Sequence, residues 1–134
     1  MTVSLRVFSD DLEPAEVSKI LSATPSESRR AGDPTNARSG PTHFDRGAWF
    51  LRSDSRDRED LEGQIRSILA TATSDLARWA ELNRRFAVDL FCGVFLEDDM
   101  NQGVSLSPEI LRELGARGIH VEMDLYGSDG SQDS

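Results

Sequence analysis

The chain has 134 residues, with 15 basic side chains against 24 acidic ones and a formal net charge of −9. That length, with 37% hydrophobic residues, supports one core and leaves no room for two. The acidic surplus excludes non-specific attachment to DNA, RNA or anionic membrane, each of which needs a basic footprint.

Val3, Leu5 and Val7 alternate with Ser4 and Arg6, and Phe8 follows, which reads as a short strand. Pro14 after Asp10, Asp11 and Glu13 reads as a helix start, because proline loses nothing in the first turn and carboxylates suit that end. Val17, Ile20 and Leu21 form its apolar stripe, and Thr24-Pro25 stops it. Residues 26–31 read as a second strand, closed by Gly32-Asp33-Pro34. From Pro34 to Arg46 the composition is that of a long, mobile loop. Gly47 to Arg52 reads as a strand returning from it.

Leu61, Ile65, Ile68, Leu69, Ala72, Leu76 and Trp79 recur every three or four residues. The spacing predicts one amphipathic helix from about Glu59 to Leu82, kinked near Thr71 to Ser74. In the strand predicted for Phe86 to Leu96, Phe86, Val88, Leu90, Cys92, Val94 and Leu96 share one face. Phe91 and Phe95 on the other face imply that it is at least partly covered as well. Glu97 to Gly103 is an acidic turn. Ser107 and Pro108 begin a helix that Gly115 or Gly118 ends, and residues 119–126 alternate as a last strand.

The expected architecture is α+β. A ferredoxin-like βαββαβ core is extended by a further helix and strand, with a mainly antiparallel sheet and helices on one face. One domain is expected over residues 1–127, followed by a disordered acidic tail at 128–134. The longest apolar run, Leu90 to Leu96, is too short to span a bilayer. The first residues do not read as a signal peptide. With Cys92 as the sole cysteine, no internal disulfide forms, and a cytoplasmic location is expected.

Several short motifs recur in a definite order: Ser9-Asp10-Asp11-Leu12 with Pro14, Arg30-Ala31-Gly32-Asp33-Pro34, Gly47-Ala48-Trp49, a long middle helix, Leu106 to Leu111, and Met123 to Tyr126. Over residues 3–126 the pattern resembles the bacterial family catalogued as domain of unknown function 4279. The resemblance implies a small bacterial domain without an established biochemical activity, and it brings no catalytic residues.

Common chemical signatures are missing: no phosphate or dinucleotide loop, no Gly-x-Ser-x-Gly, no His-Glu-x-x-His and no Cys-x-x-Cys. No cofactor and no metal are expected. His120, Glu122 and Asp124 share a strand face, but same-face neighbours stand about 6.6 Å apart, so a metal would need two of them plus Asp89. The commoner reading is a solvated edge strand. Asp10, Asp11 and Asp124 are acid–base candidates only if the first and last strands bring them together; helix capping by Asp10 or Asp11 is the simpler role. Cys92 reads as a buried small hydrophobe, and His43 has no evident partner.

Residues 29–58 hold seven arginines against four aspartates, a local +3, while the rest of the chain carries −12. Guanidinium forks recognise carboxylates and phosphates, and a tryptophan face can hold a ring. Arg29, Arg30, Asp33, Arg38, Arg46, Trp49 and Arg52 are therefore the candidate binding residues. The alternative is a set of weak surface ion pairs with Asp45, Asp54 and Asp57, with Trp49 in the core. Three functions follow as expectations. The first is a non-catalytic module that binds another protein, such as an immunity-type neutraliser of a basic partner. The second is a binder or enzyme for an anionic small molecule held by Arg29, Arg30 and Trp49. The third is a structural homodimer joined through an exposed strand.

Overall fold

The computed structural model describes residues 1–95 and 103–127. The expected acidic turn and acidic tail lie largely outside those residues.

Strand β1, Thr2–Ser9, buries Val3, Leu5 and Val7 and turns Ser4, Arg6 and Phe8 to the opposite side, as its alternation requires. Helix α1, Pro14–Leu21, is capped by Glu13, whose side chain accepts from the Ala15 N–H, with Pro14 in the first turn. Asp10 and Asp11 do not cap it. The helix ends at Ser22, in the left-handed region with φ 52°. Strand β2 is the short Glu27–Arg29, and β3 is Gly47–Arg52. Gly47 permits a close approach: a Cβ there would stand 2.9 Å from the Leu12 Cβ.

Residues 30–46 form an arm that closes on itself rather than an open loop. Gly32 N–H donates to the Phe44 carbonyl at 2.8 Å, Phe44 N–H to that of Asp33 at 2.9 Å, and Thr35 N–H to that of Thr42 at 2.8 Å.

The expected long helix is two helices, α2 at Leu61–Thr71 and α3 at Leu76–Arg85. Ala72 is extended, so the chain leaves the helix there instead of kinking. The freed groups find new partners. Thr73 N–H donates to the Leu21 carbonyl at 2.8 Å, and the Trp79 indole donates to the Thr73 carbonyl at 2.7 Å. The Asp75 side chain caps α3 through the Ala77 N–H at 3.0 Å.

Strand β4 is Ala87–Phe95. Helix α4, Pro108–Ala116, has Ser107 as its cap, and Gly118 at φ +67° completes its C-terminal turn. Strand β5 is His120–Tyr126.

The sheet order is β2-β3-β1-β4-β5. The first three neighbouring pairs are antiparallel, and β5 runs parallel to β4. β1 and β2 are thus parallel with β3 between them, joined through α1, which is the split arrangement of a ferredoxin-like core. Helix α4 carries the chain from β4 to the added β5, as a parallel pair requires. The fold is α+β. Its core lies between the helices and one side of the sheet, where Leu5, Val7, Trp49, Leu90 and Cys92 meet Val17, Leu21, Ile65, Ile68, Trp79 and Leu82.

Candidate functional site

The other side of the sheet carries no helix among the described residues. Register assigns its side chains row by row. Arg29, Ala48, Phe8 and Ala87 align across four strands. Glu27, Phe50, Arg6, Asp89 and His120 align across five, and Arg52, Ser4, Phe91 and Glu122 form the next row. Thr2, Gly93 and Asp124 follow.

Arginine and phenylalanine interleave across these rows. Arg6 donates to both Asp89 oxygens at 2.8 Å, and its Cζ lies 4.6 Å from the Phe91 ring centre and 5.5 Å from that of Phe8. The hydrogen bond to Asp89 raises the Arg6 pKa above its ordinary value, aided by the charges of Asp89, Glu122 and Asp124 against the cost of burial. Phe8 meets Phe50 edge to face, with ring centres 5.8 Å apart. Arg29 lies 4.0 Å over the Phe44 ring and 5.2 Å over Phe50, and Arg46 lies 5.3 Å over Phe8. At the far end Phe95 and Tyr126 stack with centres 5.1 Å apart. Tyr126 donates to Asp124 at 3.2 Å; burial and then that bond raise its pKa. His120 Nε2 and Glu122 Oε1 are 2.6 Å apart at the edge.

The expectation from Phe91 and Phe95 that this face is at least partly covered is met by side chains and not by a further layer among the described residues. Phe91 is half-buried beneath the Arg6 side chain, and Phe95 is 54% exposed. What cover exists comes from neighbouring side chains.

The predicted binding residues divide. Arg29, Arg46 and Arg52 reach the open face or its rim. Arg52 pairs with Glu27 at 2.8 Å. Glu27 also stands 3.8 Å from Arg29, and Arg46 has Asp10 at 4.0 Å. Arg30 turns toward α1 and makes a two-pronged pair with Glu13, at 2.8 and 2.7 Å. Asp33 holds the arm's turn by accepting from the Arg30 N–H at 2.8 Å. Arg38 is exposed in the arm. Trp49 lies on the helix side of β3, fully buried, with its indole donating to the Ser18 hydroxyl at 3.0 Å. A ligand could reach it only by displacing α1. Arg29, Arg30 and Trp49 therefore do not converge on one ligand.

The weak acid–base set does not assemble either. Asp124 is level with Thr2 at one end of β1, whereas Asp10 and Asp11 lie beyond Ser9 at the other. The separation is about 25 Å by strand rise. Ser9 donates to Asp11 at 2.5 Å, and that bond lowers its pKa, holding it ionised. Among the described residues no group of three or more His, Cys, Asp or Glu is placed to hold a metal. A cleft of about 340 Å³ opens between α1 and α3, on the helix side, lined by Glu16, Lys19, Arg78 and Arg85. No helix among the described residues is long and apolar enough to cross a membrane.

Sequence reasoning missed Arg6, Phe8, Phe44, Phe50 and Phe91 as parts of one surface. A signal was present in the alternation of residues 3–8, which already sends Arg6 and Phe8 away from the core.

Fold and surface together define a small α+β domain, a ferredoxin-like sheet with one added edge strand and, among the described residues, one side bare of helices. Over residues 1–128 the chain matches the family described as Domain of unknown function (DUF4279), and it belongs to that family. No curated protein and no solved structure matches the chain.

Proposed function

We propose that this chain is a non-catalytic protein-binding module whose docking surface is the open side of the sheet. The observation that carries this reading is the interleaved set Arg6, Phe8, Phe50 and Phe91 at the centre of that side. A surface selected only for contact with water has no need of two phenylalanines against a guanidinium and a third packed on one of them. Aromatic and arginine side chains are the types enriched at protein interfaces, where a partner removes their apolar area from water. The central charge is already neutralised by Asp89, so docking buries a pair rather than a lone cation.

A more specific version, neutralisation of a basic partner in a bacterial cytoplasm, draws on the net charge of −9, which speeds encounter with a cation. Glu122 and Asp124 on the exposed β5 edge would be its first contacts.

The test is affinity capture from the native host with three baits, a second copy of this chain counting as a partner. The wild type and the helix-side variant Leu111→Ser retain the partner; the face variant Phe50→Ser/Phe91→Ser loses it. Retention of every partner by the face variant overturns the reading.

A further inference from the structure

We infer that the partner of the open face is a second copy of this chain, stacked sheet to sheet about a twofold axis. The inference rests on that face being the docking surface. Its support is self-complementarity.

One corner of the face, its basic corner, carries two guanidinium groups that are only loosely paired. Arg29 and Arg46 stand where β2 and β3 meet the arm, and their carboxylates lie at 3.8 and 4.0 Å, beyond hydrogen-bond distance. Arg6 and Arg52, by contrast, are engaged at 2.8 Å. The Arg29 Nε is buried without an acceptor. The diagonally opposite corner holds Glu122 and Asp124 together with the stacked Phe95 and Tyr126, which are 54% and 41% exposed. Carboxylates and aromatic faces are the two groups that guanidinium forks bind best.

Register fixes the diagonal, since Arg29 shares a row with Phe8 while Asp124 shares one with Thr2, at the other end of β1. A twofold axis between two stacked faces, along the remaining diagonal, sets each basic corner on the other copy's acidic, aromatic corner. The contact is made twice. Strands of the two sheets then cross steeply, one of the two ways in which sheets pack. Phe8, Phe50, Phe91 and the neutralised Arg6–Asp89 pair fill the centre.

Two rival arrangements fit less well. Antiparallel pairing of β5 with its copy would set the Glu122 and Asp124 carboxylates of the two chains side by side, which is repulsive. A nucleic acid strand would meet those carboxylates on a face whose best-placed cations are already paired. Five strands about 4.8 Å apart and about six residues long give a footprint of about 500 Å², which suits a reversible dimer rather than an obligate one.

The test is sedimentation equilibrium of the full chain from micromolar to millimolar concentration, with Arg46→Glu and Asp124→Arg variants. The wild type is expected to reach twice the mass of 14.8 kDa. Each variant alone self-associates about tenfold more weakly or worse, because one reversal acts at both corners. An equimolar mixture of the two recovers the wild-type affinity, since each reversed corner then meets its complement. That recovery also shows both variants to be folded. A wild type that stays monomeric, variants that dimerise normally, or a mixture that does not recover overturns the inference. So does saturable binding of single-stranded DNA by a monomeric wild type. If the chain is monomeric yet the wild type captures a host protein that Phe50→Ser/Phe91→Ser does not, only the second copy is refuted, and the docking face stands.

Discussion

Arg6 and Asp89 meet across β1 and β4 as a two-pronged ion pair, with Nε and Nη2 each 2.8 Å from a different carboxylate oxygen. Both side chains are more than two-thirds buried, so neither is fully screened. Asp89→Ala strands a partly buried guanidinium and is expected to cost about 1–3 kcal/mol in urea denaturation. Arg6→Met with Asp89→Leu removes both charges together and costs less than the sum of the single changes.

The indole of Trp49 donates to Ser18, and that of Trp79 to the Thr73 carbonyl, both rings being fully buried. Ser18→Ala leaves a buried N–H without an acceptor, an expected loss of about 1–3 kcal/mol. Tryptophan emission in the native protein is blue-shifted and resists aqueous quenchers. It stays so when a partner occupies the open face, because both rings lie on the far side of the sheet. A large change in quenching on docking would contradict that placement.

Burial pushes the Cys92 thiol up to about 11 from an ordinary 9.0, with a smaller contribution from the Asp89 charge. At mildly alkaline pH its thiolate fraction is about a hundredfold below that of a free thiol. Alkylation of the native chain is expected to be slower than in denaturant by at least that ratio. Equal rates in the two conditions would exclude the buried position.

Arg30 holds the Glu13 carboxyl below its ordinary value of 4.5 by direct hydrogen bonding. A lowered folded value means the pair contributes stability above pH 4.5 and loses it as pH falls through the folded value. Glu13→Gln should therefore lower stability near neutrality, flatten the acid side of the profile, and change little once the pH is below the folded value. Added salt should shrink the difference, since the pair is exposed. The comparison is of urea midpoints for the two proteins above and below that pH.

Much of the fold was legible wherever local chemistry decides local shape. Pro14, Ser107 and Pro108 mark helix starts, and the alternation in residues 3–8 and 119–126 marks strands. The break between α2 and α3 escaped because both helices bury residues in one layer, so the apolar period runs on through Ala72. Its sign was chemical rather than periodic: Thr73 and Asp75 replace backbone partners that a continuous helix would supply.

The surface was harder to read. Counting arginines located the basic segment but gave none of their directions. Trp49 and Phe50 differ by one position, and strand parity sends the first into the core and the second onto the open face. Arg6 and Asp89 are 83 residues apart in the chain, and only the β1–β4 register makes them neighbours.

That register also governs how the protein is made. β1 is made before the other four strands of its sheet, yet it is the middle of that sheet, clasped by residues 47–52 on one flank and 87–95 on the other. A nascent chain therefore trails Val3, Leu5 and Val7 with one edge bare until β4 leaves the ribosome. Such distant pairings place folding at the slow end for a chain of this size. Aggregation during synthesis, rather than instability afterwards, is the hazard this strand order imposes.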